Sequence, residues 1–184
     1  MAGRISTFVG LALPDPHREA LAPHLAECAR LAPAYRWVEP DSLHLTLRFI
    51  GHQEPDVLDA VRGGLAEIRA EPFRLAVAGP GTFGSRAAPR VVWLGVGEGL
   101  GECAALAGAA EAACQAAGLE ADPRGFRAHV TLARARHEGE RLGDLPAPPA
   151  LAPWTVEEFL LYESRLQQRP RYVPLDRYPL QPRI

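Results

Sequence analysis

HLTLRF, residues 44–49, has a counterpart far along the chain in HVTLAR, residues 129–134. Each stretch begins with His and has Thr two positions later, among neighbours that are mostly apolar. Side chains alternate between the two faces of a β-strand, so His44 and Thr46 share one face and the flanking leucines share the other. The second stretch follows the same pattern. We therefore predict two strands, each with an apolar back and a front that carries one imidazole and one hydroxyl.

The same alternation predicts where the last residues of the two stretches point. Arg48 falls on the front of the first strand, where it is a candidate for binding an anion, and Phe49 falls on the apolar back. Arg134 falls on the back of the second strand, opposite His129, unless a bulge or a strand end at Ala133 changes the alternation.

Hydrophobic periodicity divides the chain into two similar halves. Apolar runs predict strands at residues 4–13, 43–50, 73–78, 91–96, 127–133, 154–164 and 172–180. Helical spacing predicts helices at about residues 15–31, 54–70 and 100–118. A Gly/Pro loop is expected between residues 78 and 91, and an exposed Pro-rich connector at residues 141–153. We predict one α+β domain, residues 1–184, that is bilobal, with an antiparallel sheet, helices and one His stretch in each lobe and a central cleft between them.

The composition narrows the classes of function. A chain of 184 residues, 47% apolar and 23% charged, has the profile of a globular protein with its own core. The net charge of -2 argues against broad non-specific binding of nucleic acid. All 20 basic residues are Arg, because the sequence contains no Lys. Enzymes that need lysine for a covalent adenylate, a Schiff base or a P-loop phosphate site are therefore excluded.

The N-terminal residues and the cysteines indicate neither secretion nor a redox centre. The apolar run within residues 1–17 is short and is followed at once by Asp15, so it predicts a first strand rather than a signal peptide. No run approaches the roughly 18 apolar residues that span a bilayer, and a cytoplasmic protein without membrane contact is expected. Cys28, Cys103 and Cys114 lack CxxC spacing and lie among Ala and Leu, which predicts buried, apolar roles.

Two histidines that face each other across a cleft suit in-line displacement at phosphorus. This reaction needs a base at the attacking oxygen and an acid at the leaving oxygen, on opposite sides of the phosphorus atom. Imidazoles can fill both roles, while hydroxyls and arginine stabilise the charge on the other oxygens. No metal or other cofactor is required. A metal centre is disfavoured because no HxH, HExxH or His-carboxylate spacing supplies a third ligand.

Three segments of the chain resemble one family. RWVEPDSLHLTLRFIG (residues 36–51), FRAHVTLAR (126–134) and LYESRLQQRPRYVPLDRYPL (161–180) are similar, in this order, to the RNA 2′,3′-cyclic phosphodiesterases. This family, historically called 2′-5′ RNA ligases, belongs to the two-histidine (2H) phosphoesterase superfamily. The resemblance implies a bilobal fold whose central cleft hydrolyses the 2′,3′-cyclic phosphate at an RNA terminus to a 2′-phosphate. The expected partner is RNA with such a terminus, tRNA fragments among the candidates, and the expected state is a monomer.

The resemblance also implies a role for each matching residue. His44 is similar to the family's proton donor and His129 to its proton acceptor. Thr46 and Thr131 are similar to its phosphate-binding threonines. Arg134, five residues after the second His, matches a phosphate-binding arginine of the family.

The chain departs from the family pattern at several positions. Ala128 precedes the second His where the family often has Pro, and Arg169 and Pro170 stand where it often has Gly. Because strict alternation turns Arg134 away from the front, Arg48 is kept as a second candidate for binding phosphate.

Some alternatives stay open. A ligase that joins cyclic-phosphate and 5′-hydroxyl ends catalyses the formal reverse reaction and needs no lysine. A non-catalytic module that binds RNA ends is disfavoured because both His stretches are intact. Trp37 and Tyr35 are candidates for stacking on a base. A cluster around the second stretch forms either a solvated face or a groove for an RNA end: Arg124, Arg127, Arg134, Arg136 and Arg141.

Overall fold

The computed structural model of the protein describes residues 5–165 and 168–181. Within them the chain forms ten strands, three α-helices and one 3₁₀ turn at Pro40–Ser42. The strands are β1 (Ile5–Ala12), β2 (Tyr35–Trp37), β3 (His44–Gln53), β4 (Phe73–Leu75), β5 (Val77–Gly84), β6 (Pro89–Val96), β7 (His129–Ala135), β8 (Trp154–Val156), β9 (Glu158–Ser164) and β10 (Tyr172–Pro179). The helices are α1 (Asp15–Leu31), α2 (Pro55–Ala66) and α3 (Leu100–Ala116).

Eight of these strands form one antiparallel sheet. Its order is β10-β9-β1-β3-β7-β6-β5, with the short β2 paired to β7 off this path. The two halves of the sheet meet where β3 pairs with β7, at Leu45 and Val130. β4 and β8 form a separate two-stranded sheet. The predicted α+β fold with two lobes is confirmed, and the sheets of the two lobes join edge to edge through the two His strands.

The apolar residues behind the two histidines belong to one hydrophobic core. Leu45, Leu47, Val130 and Leu132 are each no more than 5% exposed and lie in the same cluster of buried side chains. Burial of each such side chain contributes about 2 kcal/mol to the hydrophobic stabilisation of the fold. The predicted apolar backs are confirmed for these four residues, but not for Phe49, which is 39% exposed.

The helices cover the back of the sheet. α2 buries Leu58, Val61 and Leu65, which lie on one helical face. α2 packs on α3 where Gly64 meets Ala113, and a Cβ on Gly64 would lie only 3.1 Å from the Ala113 Cβ. α3 in turn packs against β3. This packing fixes the strand that carries the first His and leaves its front open.

Most of the predicted elements are present, with shifted ends, and one predicted loop is a strand. The predicted first strand begins at Arg4, which lies outside the described residues. α2 ends at Ala66, short of the predicted residue 70. Within the predicted Gly/Pro loop, β5 continues to Gly84 and pairs with β6. Gly81 allows this pairing because it faces Trp93, where a Cβ would lie 2.2 Å from the indole ring.

The three cysteines are buried thiols. Cys28, Cys103 and Cys114 are unpaired and buried, which confirms their predicted apolar role. Burial raises the pKa of Cys103 to about 12 and that of Cys114 to about 11, so both stay protonated at neutral pH. None of the described helices is long and apolar enough to cross a bilayer.

Candidate active site

A bulge changes the direction of the side chains in β3. The pairing with β1 skips Leu47, so Leu47 and Arg48 both face the core. Phe49 then returns to the front, with 39% of its surface exposed, and lines the cleft between the lobes. The two orientations predicted from strict alternation, Arg48 at the front and Phe49 in the core, are therefore wrong.

β7 has the same bulge at the equivalent position. Its pairing with β6 skips Leu132, so Leu132 and Ala133 both face the core. Arg134 consequently lies on the front with His129, as its implied role requires. The two strands thus share one local conformation, in which the fifth residue after the His projects into the cleft. That residue is Phe49 in one lobe and Arg134 in the other.

The pairing of β3 with β7 sets the relative positions of the four front residues. Its antiparallel register aligns His44 with Thr131 and Thr46 with His129 on one face. His129 lies near enough to His44 to lower its pKa by charge repulsion. Two imidazoles and two hydroxyls therefore surround one space, with an approximate two-fold relation between the lobes.

These four residues line a cavity of about 770 Å³ at the junction of the lobes. Arg134 lines it as well, whereas Arg48 does not. Arg124, from the predicted arginine cluster, also lines the wall. Four further residues of the wall were not among the predicted ligands: Phe8, Phe49, Arg171 and Tyr172. The cavity is thus rich in arginine and aromatic side chains, which suits an anion that carries an aromatic base.

Arg48 is committed to ion pairs behind the sheet. Its Nε lies 2.5 Å from a carboxylate oxygen of Glu111, and its Nη1 lies 3.8 Å from Asp122. Its guanidinium also donates to the backbone carbonyls of Phe49 and Glu120. Only 8% of the side chain is exposed. Arg48 therefore links β3 to α3 and to the segment before β7, and its charge is already balanced.

Arg134 is placed differently. Its guanidinium lies at the cavity wall, and among the described residues no carboxylate is within 4.0 Å of it. Burial, together with the nearby charges of Arg124 and Arg171, lowers the pKa of Arg134, although arginine stays charged at neutral pH. An anion in the cavity would supply the missing counter-charge.

Backbone carbonyls orient both imidazoles in the same way. The Nδ1 of His44 donates to the carbonyl of Ser42 at 2.8 Å, and the Nδ1 of His129 donates to the carbonyl of Arg127 at 2.6 Å. Because a carbonyl can only accept, the proton of each neutral ring lies on Nδ1, and Nε2 is unprotonated and can accept a proton or a hydrogen bond. The Nε2 of His44 lies 3.0 Å from the hydroxyl of Thr46.

Aromatic rings enclose the imidazoles. Phe8 packs on His44 with 4.7 Å between ring centroids, and the edge of Tyr172 contacts the same ring at 4.8 Å. Phe83 contacts His129 edge to face at 4.9 Å. These contacts restrict the orientation of the ring planes and bury part of each ring.

Burial makes both imidazoles weak bases in the protein alone. Burial lowers the pKa of His44 to about 4, against the opposing effect of the Ser42 carbonyl, and nearby positive charges lower it further. Burial also lowers the pKa of His129, again with added repulsion from arginines. Both rings are therefore mainly neutral at pH 7, and a bound anion would favour their protonated forms.

The two predicted stacking candidates have different environments. Tyr35 is 1% exposed, and its hydroxyl donates to the carbonyl of Pro89 at 2.7 Å, so it is a core residue and not a stacking surface. Trp37 is half-buried and lines the cavity while its Nε1 donates to the carbonyl of Ala32 at 3.1 Å.

The departures from the family pattern leave the site assembled. β7 begins at His129 directly after Ala128. Arg169 lines the cavity and forms an ion pair with Glu39. Within the described part of the chain, no three His, Cys, Asp or Glu side chains are grouped so that they could hold a metal ion.

Comparison with known proteins identifies the family. The model of the LigT-like phosphoesterases matches residues 11–93 and again residues 94–172, so that each match contains one His strand. The chain belongs to the LigT-like phosphoesterase family. The resemblance seen in the sequence is confirmed. The boundary between the two matches is not the boundary between the lobes, because β5 lies in the first match but on the β7 side of the sheet, whereas β9 lies in the second match and pairs with β1.

Curated relatives and solved structures of LigT-like proteins cover most of the chain. An RNA 2′,3′-cyclic phosphodiesterase from Archaeoglobus fulgidus is 33% identical over 162 residues, 86% of this chain and 90% of its own. One from Geobacillus stearothermophilus is 33% identical over 182 residues, 94% of this chain, and the chain spans 56% of that relative's length. The crystal structure of Escherichia coli LigT complexed with 3′-AMP matches with a TM-score of 0.79 and 30% identity, over 98% of this chain and 100% of that one.

Proposed function

We propose that this chain hydrolyses the 2′,3′-cyclic phosphate at the end of an RNA to a 2′-phosphate, by acid–base catalysis with two histidines and without a metal. The observation that carries the proposal is the matched geometry of His44 and His129. Each lies on the front of a bulged strand, donates Nδ1–H to a backbone carbonyl and has an unprotonated Nε2 beside one cavity. A paired acid and base at phosphorus need this arrangement.

The names of the relatives support hydrolysis of the cyclic ester. Those from Archaeoglobus and Geobacillus are named RNA 2′,3′-cyclic phosphodiesterases, and the chain is 33% identical to each. The E. coli LigT complex contains 3′-AMP, a nucleotide with a phosphate on its ribose. These findings favour hydrolysis over ligation, and the paired imidazoles favour an enzyme over a module that only binds RNA ends.

The reaction assigns one role to each imidazole. The Nε2 of His129 takes a proton from water as the water oxygen attacks phosphorus. The bond between phosphorus and O3′ breaks, and the Nε2–H of a protonated His44 gives its proton to O3′. The products are a 2′-phosphate and a 3′-hydroxyl. Because the pKa of His44 is low in the protein alone, the negative charge of the bound phosphodiester is what stabilises its protonated form.

Three side chains hold the phosphate in this proposal. Thr46 and Thr131 donate hydroxyl protons to its oxygens, and Arg134 balances its charge from the end of β7. Arg48 is not included, because Glu111 already pairs with its guanidinium. Interactions that strengthen as charge spreads over the phosphate oxygens in the transition state raise kcat.

The catalytic unit in this proposal is one chain with both lobes, residues 1–184. A monomer is sufficient, because each lobe contributes one histidine and one threonine to the same cavity. Three free, buried thiols suit a reducing compartment such as the cytoplasm. tRNA fragments stay a predicted source of the RNA ends.

Identification of the product isomer tests the function. The protein is incubated with a short RNA that ends in a 2′,3′-cyclic phosphate, and the product is examined by phosphorus NMR and by its resistance to a 3′-phosphatase. A 2′-phosphate is expected. His44→Ala and His129→Ala should each lower the rate by roughly 10² to 10⁴, while His137→Ala, on an exposed loop, serves as the matched control. A 3′-phosphate, a ligated product, or full activity in either catalytic variant contradicts the proposal.

A further inference from the structure

A second cavity continues from the catalytic cleft on the side of His129. Its volume is about 470 Å³, within the range of sites that bind small ligands. Phe49, Arg124 and His129 belong to the walls of both cavities. A chain whose terminal phosphate lies between the two histidines can therefore extend into the second cavity without crossing the protein.

Two arginine–phenylalanine stacks line this second cavity. The guanidinium carbon of Arg124 lies 4.6 Å from the ring centroid of Phe49, and that of Arg127 lies 4.6 Å from the ring centroid of Phe83. A guanidinium on an aromatic face is held flat, and its outer face is a surface on which a nucleobase can stack. All four side chains line the same groove.

The two arginines differ in how their charge is balanced. Asp122 holds Arg124 through two oxygens, at 2.9 Å from Nε and 2.8 Å from Nη2, and also accepts its backbone N–H. Arg124 is therefore a fixed, charge-balanced plane. For Arg127, no carboxylate lies within 4.0 Å among residues 5–165 and 168–181, so its charge is available to a phosphate. With a net charge of -2 for the whole chain, this positive groove is a local feature.

We propose that the second cavity binds the nucleotides that precede the terminal cyclic phosphate of a single-stranded RNA. Bases stack on the guanidinium planes of Arg124 and Arg127, and Arg127 also contacts the backbone phosphate between them. The preferred substrate is consequently an RNA 3′ end of two or more nucleotides rather than a free cyclic nucleotide. This inference rests on the proposed hydrolysis and names its substrate class.

Substrate length tests the groove separately from the chemistry. kcat/KM is measured for a nucleoside 2′,3′-cyclic phosphate and for di- and pentanucleotides that end in the same cyclic phosphate. Stacking of one or two upstream bases should raise kcat/KM about 5- to 100-fold over the free nucleotide. Equal values for all three substrates refute the groove and leave the hydrolase intact. Hydrolysis of none of them refutes the proposed function instead.

Variants of Arg127 test the stacking itself. Arg127→Ala should lower the ratio of pentanucleotide to mononucleotide kcat/KM at least about fivefold. The ratio cancels any effect on the pKa of His129, which the charge of Arg127 lowers. Arg127→Lys keeps the charge but loses the planar surface, and should lower the ratio as well. Arg69→Ala removes an exposed charge in the loop after α2 and should leave the ratio unchanged.

Two outcomes would overturn the assignment. An unchanged ratio in Arg127→Ala shows that the RNA leaves the cleft by another path. A ratio in Arg127→Lys equal to that of the wild type shows that charge alone, and not stacking, acts at this position.

Discussion

The pH dependence of kcat/KM tests which imidazole is the acid. The competent form has His44 protonated and His129 neutral, and kcat/KM reports the ionisations of the free enzyme. With a pKa of about 4 for His44, about one molecule in a thousand carries the catalytic proton at pH 7. Between pH 5 and pH 7 that fraction falls by about 100-fold.

Each limb of the profile belongs to one residue. At pH values above both pKa values, log kcat/KM should fall by about one unit per pH unit, because only the loss of the proton from His44 still changes the competent fraction. At pH values below both pKa values, log kcat/KM should rise by about one unit per pH unit, because His129 loses its proton as the pH increases. These slopes hold whichever pKa is lower, although the midpoints of the limbs belong to the pair.

Two variants assign the limbs. Initial rates at low substrate concentration are measured from about pH 2.5 to pH 9 for the wild type, His44→Ala and His129→Ala, so that the range extends below the pKa of about 4 of His44. His44→Ala should lose the alkaline limb and keep the acidic one, and His129→Ala should do the opposite. The alkaline limb of kcat should lie at higher pH than that of kcat/KM, because the bound phosphodiester raises the pKa of His44. If His44→Ala kept the alkaline limb and lost the acidic one, the two roles would be reversed.

Three further outcomes are expected. Excess EDTA should leave the hydrolysis rate unchanged, and loss of activity that one divalent ion restores would contradict the two-histidine mechanism. Arg134→Met should lower kcat/KM by about 10² to 10³ with little change in thermal stability. Arg48→Met should destabilise the fold by about 3 kcal/mol with little change in KM, because it leaves Glu111 without its arginine, whereas Asp122 keeps its pair with Arg124. The free energy of unfolding of the wild type should fall as the pH drops from 6.5 towards 4, because burial keeps His44 neutral in the folded state while the unfolded chain binds a proton. His44→Gln should remove the contribution of His44 to this fall, which is at most about 3 kcal/mol. Urea titrations of both proteins at pH 7 and pH 4 measure the difference. The same pH dependence in both proteins contradicts the low pKa of His44.

The alternation of side chains along a strand is a local property. It predicts the orientation of a side chain only where the strand is regular. His44 and Thr46 are two residues apart, so their shared front follows from the sequence alone. The bulge that turns Arg48 to the core depends on the pairing of β3 with β1. The carboxylate that pairs with Arg48 there belongs to Glu111, which lies on α3. A single strand contains neither piece of information. Comparison of the two His stretches offers one hint, because Ala133 occupies the position of Arg48 and is followed by the arginine that matches the family.

Short or glycine-rich strands escape prediction for a different reason. β2 has three residues, Tyr35–Trp37, which is too short for alternation to show. β5 contains Pro80 and lies at the edge of the sheet, where a missing backbone donor is tolerated. The need for Gly81 is visible only once Trp93 is seen against it. The cavity residues Phe8 and Tyr172 could not be assigned from their own segments, because β1 and β10 reach the cleft only through the order of the sheet.

The repeated strand conformation explains how a duplicated lobe can serve a reaction that has two different ends. Identical backbones place one imidazole and one hydroxyl on each side of the phosphate, but attack and departure require opposite protonation states. The asymmetry enters at the fifth residue after each His, where one lobe presents the apolar Phe49 and the other the cationic Arg134. The charge of Arg134 lowers the pKa of both imidazoles, so it favours the neutral form that a base at His129 requires, and it leaves the protonation of His44 to the substrate anion. On the other side, the rings of Phe8 and Tyr172 enclose His44, so that its proton is held only in the presence of the substrate anion and is readily given up to the leaving oxygen.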